Sequence, residues 1–314
     1  MAVEDVDQFV EFASGLRFPE GPVVLTNGDL LVCQVLGERI TRLAPDGSLV
    51  KHIDVPGGPN GAAIGPDGAV YLCNNGGSFT PVEAGGLLYP GRFAPERYSG
   101  GRIERIDIDT GEITALYSHC GDIALRSPND LVFDADGGFW FTDHGIRHGR
   151  VSDRTGIYYA QPDGSSITEV VFPTEGPNGI GLSPDGLTLY WAETYAGRVF
   201  HRTITSPGHV EYRNPVDPSG LLAGLPGMQL LDSLAVDGAG NVCVGTLLHG
   251  GITVIAPDGE ILAHLATDDP FTTNICFGGA DGRTAYVTCS GTGRIVTLGW
   301  AYPGLAPKFS GLTF

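Results

Sequence analysis

From residue 176 to residue 191 the chain reads GPNGIGLSPDGLTLYW, a pattern typical of two short strands joined by a tight turn. Asn178 precedes the first apolar run, and Asp185-Gly186 supplies the turn. The pattern occurs six times, and an Asn-Gly or Asp-Gly pair follows at the same offset in five of the six copies. The residues equivalent to Asn178, called the register residues below, are Glu20, Asn60, Asn129, Asn178, Asp232 and Asn274. Such a repeat indicates a fold built from copies of one unit.

Each copy continues beyond its first strand, a, in the same way. Strand b follows the turn, strand c often begins with a basic residue before Ile or Val, and a second Gly turn commonly leads to strand d. Strand b is predicted at residues 30–33, 70–73, 139–142, 189–192, 242–245 and 285–288. This plan predicts an all-β fold, a six-bladed β-propeller with four-stranded antiparallel blades, in a single domain over residues 1–314. A two-sheet sandwich is the alternative, but it gives no reason for the repeated register.

The register residues are 40 to 69 residues apart, which predicts insertions. They are expected at residues 74–100, at residues 144–155, and at residues 206–230 after strand d of the fourth blade. Long loops in a compact domain are often lids or specificity loops. The first insertion is therefore expected to shape a substrate pocket, and its aromatic residues, Phe79, Tyr89, Phe93 and Tyr98, either form an apolar wall there or pack on the surface. Residues 8–14 alternate like a strand and are expected to complete the last blade, which closes the ring.

Composition narrows the class of protein. The 48 Gly and 22 Pro lie at regularly spaced turns, and the net charge of −18 argues against nucleic acid or an anionic membrane as partner. Residues 1–7 carry acids and no apolar segment, which predicts no signal peptide, and no apolar run is long enough to span a membrane. The six Cys show no CxxC spacing, and five lie in apolar strand patterns. Free thiols in a cytoplasmic protein are therefore expected.

The register residues predict a metal site. The first residues of the innermost strands ring the central channel of a propeller at one end, so these six side chains are expected to converge there. All six carry carboxylate or amide oxygen, and two carboxylates at a crowded axis repel unless a cation lies between them. Such a set favours one hard divalent cation, with Ca²⁺ expected first and Mg²⁺ or Mn²⁺ as substitutes. Zn²⁺ stays an alternative, although it favours His and Cys ligands. The other interpretation is a water-filled channel lined by Asn.

Four motifs carry a resemblance to a known family. They are FPEGP at 18–22, SPND at 127–130, GPNG at 176–179 and LDSL at 231–234. The chain resembles the SMP-30/gluconolactonase/LRE family of six-bladed propellers, which includes calcium-dependent lactonases. The resemblance implies Glu20, Asn178 and Asp232 as metal ligands and Asn129 as a further ligand or a substrate contact. The squid-type organophosphate hydrolases, which share this fold, use a similar set of Glu, Asn, Asn and Asp.

Position along the repeat supplies further candidates at the same mouth. His144, Tyr195 and His249 directly follow strand b in three blades, and Arg126 lies three residues before Asn129. The residues assigned to substrate binding are Arg126, Asn60, Asn75, Tyr195, His249 and Asn274. His144 and Asp232 are the candidates for proton transfer, with Asp232 preferred as general base and His249 in reserve. For Arg126 the alternative is a rim salt bridge, and for each His it is a hydrogen-bonded loop residue.

The sequence contains no Gly-x-Ser-x-Gly elbow and no phosphate-binding loop, so covalent catalysis is not indicated. Lewis-acid chemistry is the remaining option. We therefore expect a metal-dependent hydrolase that opens a lactone, with a small molecule as its partner. Three alternatives stay open: a phosphotriester hydrolase, a lyase or dehydratase that uses the same metal, and a non-enzymatic ligand-binding propeller. The oligomeric state is not predicted.

Overall fold

The strands of this chain are short, and most turn back on the preceding strand at a Gly turn. The structure is a computed structural model that describes residues 8–214 and 217–314. Within these residues, six antiparallel sheets of four or five strands form the blades of a propeller, and three two-stranded hairpins lie outside them. The innermost strands of successive blades pack side by side, and the sixth packs against the first. The predicted all-β six-bladed β-propeller with four-stranded blades is confirmed. The expectation about residues 1–7 lies outside the described residues.

The first three blades follow the predicted plan from the channel outward. Blade 1 consists of β2 (Pro19–Val24), β3 (Leu30–Gln34), β4 (Arg39–Leu43) and β5 (Leu49–Asp54). Blade 2 consists of β6 (Pro59–Ile64), β7 (Val70–Asn74), β10 (Arg102–Ile106) and β11 (Ile113–Tyr117). Blade 3 consists of β14 (Pro128–Phe133), β15 (Phe139–Asp143), β18 (Thr155–Ala160) and β19 (Ile167–Thr174). The predicted b strands are confirmed to within a residue or two at each end.

The other blades complete the ring. Blade 4 consists of β20 (Pro177–Leu182), β21 (Thr188–Glu193), β22 (Arg198–Ser206) and β24 (Leu221–Gly224), with β23 (His209–Val210) on the far end of β22. Blade 5 consists of β25 (Leu230–Val236), β26 (Val242–Leu247), β27 (Gly251–Ile255) and β28 (Ile261–Ala266). Blade 6 consists of β29 (Thr272–Gly278), β30 (Thr284–Cys289), β31 (Arg294–Gly299) and β1 (Val10–Ala13). Because β1 pairs with β31, with Val10 opposite Thr297, the prediction that the first strand closes the last blade is confirmed.

The insertions form small hairpins between the blade strands. The 74–100 insertion contains β8 (Phe79–Ala84) and β9 (Leu87–Phe93), and the 144–155 insertion contains β16 (Arg147–His148) and β17 (Val151–Ser152). A further short pair, β12 (His119–Cys120) and β13 (Ile123–Ala124), precedes blade 3. The predicted place of the 206–230 insertion was wrong, because the outer strand β24 lies inside it and pairs with β22. The insertion separates strands c and d of blade 4, so no short Gly turn marks where the four-residue strand d begins.

Hydrophobic burial holds the blades together. Strands β3, β7 and β15 are buried at every residue because a neighbouring blade covers each of their faces. The outer strands β5 and β28 are largely exposed and contain charged or polar residues. All six Cys are free thiols, and Cys33, Cys73, Cys243 and Cys289 are buried. Over residues 8–214 and 217–314, no helix has the length and hydropathy needed to cross a membrane.

Candidate metal centre and active-site mouth

Each innermost strand is irregular at its register residue. The pairing of strands a and b shifts between residues 20 and 23, 59 and 62, 128 and 131, 177 and 180, 231 and 234, and 272 and 274. A β-bulge turns a side chain out of the regular pleat. All six register residues are buried, with at most 9% of their surface exposed. The repeated bulge explains how six residues from six strands are brought to one end of the channel.

The two register carboxylates interact with each other. Burial raises the pKa of Glu20, and burial followed by the charge of Glu20 raises the pKa of Asp232 well above its usual range. Asn274 Nδ2 donates a hydrogen bond to Glu20 Oε2 at 3.0 Å, and the amide of Gly21 donates to the same oxygen at 3.1 Å. Within the described part of the chain, no ion pair includes Glu20 or Asp232. The described residues therefore supply no cation to offset this pair.

The amide side chains of the ring show which oxygens are free to bind a cation. Oδ1 of Asn129 and Oδ1 of Asn60 are buried and have no hydrogen-bond donor among the described residues. Asn178 is held in place, since its Nδ2 donates to Thr194 Oγ1 at 3.1 Å and its Oδ1 accepts from Ser233 Oγ at 3.4 Å. Unsatisfied buried oxygens are costly, and a hard cation satisfies them. The donor set therefore fits a divalent cation that favours oxygen ligands.

The set is unlike a zinc site. In residues 8–214 and 217–314, no three side chains of His, Cys, Asp and Glu cluster as metal ligands, because the ring combines two carboxylates with amides. Zn²⁺ favours His and Cys ligands. The donors are thus those of a cation that favours oxygen ligands.

Tyr195 and His144 lie together beside the ring. Tyr195 follows β21, His144 follows β15, and the Tyr195 hydroxyl lies 3.3 Å from Nε2 of His144. The guanidinium of Arg147 lies over the Tyr195 ring, 3.3 Å from its centroid. Both side chains lie beside Gly176, two residues before Asn178, since a Cβ atom there would lie 2.6 Å from Cδ2 of Tyr195 and 3.3 Å from Cε1 of His144. Burial raises the pKa of Tyr195. Burial, helped by the charge of Arg147, lowers the pKa of His144 to about 4, so its imidazole is neutral at pH 7.

The hairpin of the 74–100 insertion lies against several blades at this mouth. The amide of Leu88 donates to the carbonyl of Gly291 at 2.8 Å, and Tyr89 stacks on Phe271 with ring centroids 5.2 Å apart, both contacts being with blade 6. On the other side, Phe93 packs against His148 of the second insertion with centroids 5.2 Å apart. Phe93 also packs edge-on against Tyr98. These aromatic residues hold the hairpin in place, so one side of the mouth is covered by a packed structure.

The opposite end of the channel is covered by the C-terminal segment. The amide of Leu305 donates to the carbonyl of Val236 at 3.2 Å, and Phe309 packs edge-on against Phe133 at 5.7 Å. A mainly apolar cavity of about 150 Å³ remains between this segment and the innermost strands. Access to the register residues is therefore favoured from the end where strand b meets strand c.

Comparison with known proteins agrees with this geometry. Residues 18–291 match the model of the SMP-30/gluconolactonase/LRE-like region. The chain belongs to the SMP-30/gluconolactonase/LRE-like family. The matched region contains all six register residues.

The similar proteins align with most of this chain. A gluconolactonase from Zymomonas mobilis is 26% identical over 92% of the chain and 81% of its own length. Lactonase drp35 from Staphylococcus saprophyticus is 30% identical over 77% of the chain and 69% of its own length. Among solved structures, regucalcin from Agrobacterium tumefaciens, described as a calcium-binding protein, has a TM-score of 0.73 and 18% identity. That likeness covers 96% of the chain and 99% of the regucalcin chain, and it shows the shared fold.

In this SMP-30/gluconolactonase/LRE-like protein, several predicted substrate residues have partners of their own. Arg126 Nε forms an ion pair with Asp153 at 2.7 Å, so its guanidinium is already held at the rim. Asn75 Oδ1 accepts hydrogen bonds from the amides of Gly77 and Ser78, whereas its Nδ2 is buried without an acceptor among the described residues. Asn274 orients Glu20, as described above. These residues shape the mouth, and their contact with substrate stays a prediction.

His249 lies apart from the other predicted residues. It is exposed, and its ring is 6.3 Å from the ring of His264 on the outer strand β28. Asn60, by contrast, is buried in the register ring, and its Oδ1 has no donor within residues 8–214 and 217–314. The structure thus groups His144 and Tyr195 near the ring, and it places His249 toward the outside of blade 5.

Sequence reasoning gave no role to Asp130. Its carboxyl group is buried in the channel, accepts a hydrogen bond from the amide of Leu131 at 2.9 Å, and lines the cavity. Burial, together with the charge of Glu20, raises the pKa of Asp130 to about 7. The available signal was an Asp directly after Asn129. In a regular strand its side chain would point to the opposite face from Asn129, and only the bulge brings both residues to the channel.

A small residue after Asn178 allows two innermost strands to touch. A Cβ atom on Gly179 would lie 2.6 Å from the carbonyl carbon of Ser233 and closer still to the amide of Leu234, and both are backbone atoms. We therefore expect Gly179→Ala to lower the free energy of unfolding by about 2–4 kcal/mol, because overpacking against backbone forces the blades apart. Urea unfolding followed by tryptophan fluorescence measures this change. Gly224→Ala is the control, because its nearest contact would be an ordinary 3.7 Å. Equal stability of the two variants would contradict the close approach.

Proposed function

We propose that this protein is a divalent-cation-dependent hydrolase that opens lactones, with Ca²⁺ as its ion. The observation that carries the proposal is the buried, mutually repelling pair of Glu20 and Asp232, together with the buried amide oxygen of Asn129, which has no hydrogen-bond donor among the described residues. Family membership supports it, since relatives over most of the chain are a gluconolactonase and a lactonase. A structure with the same fold, described as a calcium-binding protein, supports the choice of ion.

In this proposal Glu20, Asn129, Asn178 and Asp232 hold the cation. A bound divalent cation supplies Lewis-acid polarisation of the lactone carbonyl and lowers the pKa of bound water. Asn274 and Gly21 keep the Glu20 carboxylate oriented, and Ser233 and Thr194 do the same for Asn178. The covering of the far end of the channel by the C-terminal segment directs substrate to the register mouth.

Proton transfer is assigned to the chain's own groups. We assign the proton of the attacking water to Asp232, a buried carboxylate of the register ring. His144 is neutral at pH 7 and, with Tyr195, contacts the ring of the lactone beside Asp232. The 74–100 insertion limits the space on the other side of the mouth and so influences which lactones enter.

His144→Ala tests this division of roles. We expect KM to rise severalfold while kcat falls less than tenfold, because Asp232 is the base and His144 makes a ground-state contact. Steady-state kinetics on a panel of lactones in the presence of Ca²⁺ measures both. His209→Ala, an exposed His on β23, is the control and should leave both constants unchanged. A fall in kcat of about 10²–10⁴-fold at unchanged KM would make His144 the base instead.

The proposal as a whole depends on one assay. Purified protein with Ca²⁺ is expected to release acid from glucono-1,5-lactone and from simple γ-lactones, measured with a pH indicator. Absence of turnover on every lactone, with turnover of a phosphotriester, would replace the proposed reaction by the other metal-dependent hydrolysis.

A further inference from the structure

The second insertion is basic in an acidic protein. The whole chain has 18 Lys and Arg against 36 Asp and Glu. Between residues 147 and 154 this balance is reversed, with Arg147, Arg150 and Arg154 against the single acid Asp153. The three arginines lie on or beside the β16–β17 hairpin and are exposed. Positive charge is thus concentrated at one place beside the active-site mouth.

The local carboxylates do not neutralise this group. Asp153 is already paired with Arg126 at 2.7 Å. Glu175 is shared, since it lies 3.7 Å from Arg147 and 3.5 Å from Arg154, both longer than a direct hydrogen bond. Arg150 forms no ion pair with any residue that the structure describes. Asp143 is a third carboxylate at this place, since it accepts a hydrogen bond from the amide of Arg126 at 2.6 Å. Four guanidinium groups therefore face three carboxylates, which leaves an excess of positive charge.

This charge lies next to the candidate metal centre. Arg147 lies directly over Tyr195, and the hydroxyl of Tyr195 lies beside His144. Tyr195 also lies against the start of the strand that carries Asn178, since a Cβ atom on Gly176 would lie 2.6 Å from Cδ2 of Tyr195. A molecule whose reacting group is at Asp232 and which extends past Tyr195 reaches the arginines of β16–β17.

We propose that this hairpin binds an anionic group, a carboxylate or a phosphate, carried by the substrate. The inference rests on the proposed function and adds the substrate class, a lactone with an anionic substituent. Exposed guanidinium groups match the planar oxygens of carboxylates and phosphates. A protein of net charge −18 repels anions in general, so an anionic substrate needs a local positive field at the entrance.

The test uses two γ-lactones that differ only in charge, 5-oxotetrahydrofuran-2-carboxylate and its carboxamide. The wild-type protein with Ca²⁺ is expected to open the carboxylate with the higher kcat/KM. In Arg150→Gln/Arg154→Gln the ratio of kcat/KM for the carboxylate over the carboxamide is expected to fall by about ten- to hundredfold, the loss typical of charged hydrogen bonds. Arg147 is left intact because it packs on Tyr195. Arg283→Gln removes one charge near the Asp281-Gly282 turn and should not change the ratio.

A binding measurement separates this inference from the reaction itself. Calorimetry with the lactam analogue 5-oxopyrrolidine-2-carboxylate and its carboxamide reports affinity without turnover, and the double variant should lose affinity for the carboxylate only. Inhibition by acetate or by inorganic phosphate tells which anion is preferred. Equal kcat/KM for both lactones, unchanged in the double variant, overturns the anion site while lactone hydrolysis stands. No turnover of either lactone, with selective binding of the charged lactam, overturns the reaction and supports the anion site.

Discussion

Glu20→Gln is expected to lower kcat for lactone opening by about 10³-fold or more while the propeller stays folded. The substitution keeps the volume and removes one of the two carboxylates that attract the cation. Loss of Lewis-acid stabilisation of the developing charge is worth several kcal/mol, and each 1.4 kcal/mol is about tenfold in rate. Glu20 is buried and accepts hydrogen bonds from Asn274 and Gly21, so no other group readily takes its place. Single-turnover and steady-state rates at saturating Ca²⁺ measure the effect.

Two comparisons make this result specific. Glu260→Gln removes an exposed carboxylate next to the Asp258-Gly259 turn and should leave kcat unchanged. Circular dichroism and the melting temperature show whether Glu20→Gln is folded. A folded Glu20→Gln protein with wild-type kcat would mean that the register ring is not the catalytic centre of lactone opening.

Asp232→Asn is expected to change the stability of the protein in opposite directions in the absence and in the presence of Ca²⁺. Ca²⁺ at about 1,000 times its Kd is expected to stabilise the chelator-treated protein by about 4 kcal/mol, because the ion binds only the folded ring. In Asp232→Asn the metal-free protein should melt at a higher temperature than wild type, since the repulsion between Glu20 and Asp232 is removed. The same variant should lose most of the stabilisation by Ca²⁺. Scanning calorimetry with and without Ca²⁺ measures all four combinations.

The pH dependence of the metal-free protein follows from the same pair. The folded-state pKa values of Glu20 and Asp232 are raised above their ordinary values, so the folded protein holds more protons than the unfolded chain in that interval. Their contribution to stability is therefore complete below about pH 4 and is lost as the pH rises through the raised pKa values. Ca²⁺ should abolish this dependence. A melting temperature that is the same with and without Ca²⁺, in wild type and in Asp232→Asn, would contradict a cation site at the ring.

Much of the fold could be predicted because its causes are local. A tight turn needs Gly at a left-handed position, and a buried strand needs an apolar run. Strands a and b of each repeat can therefore be located from the residues of that repeat alone. Six marked repeats are enough to infer a ring, and a lone strand at residues 8–14 is enough to infer its closure, as the pairing of β1 with β31 confirms. The convergence of the register residues follows from the geometry of any propeller once the repeats are aligned.

The remainder depends on contacts between residues far apart in the chain. The outer strand of blade 4 was misplaced because β24 is recognised only by its pairing with β22 across an insertion. Asp130 was missed because a bulge, which depends on the partner strand, decides which face its carboxyl group takes. His249 follows strand b just as His144 does, yet it lies near the outer strand β28.

Sequence alone determined the repeat, the number of blades and the oxygen donors of the ring, because each of these depends only on residue types at a fixed spacing. Tertiary structure decided which of those donors lack partners, where the mouth is covered, and how charge is distributed around it. The physical reason is that the burial, the pKa and the ion pairs of a side chain depend on its neighbours, and these come from different blades. Asn129 and Asn274 occupy the same position in the repeat. Because their neighbours differ, Asn274 donates a hydrogen bond to Glu20, whereas Oδ1 of Asn129 has no donor in the part of the chain that the structure describes.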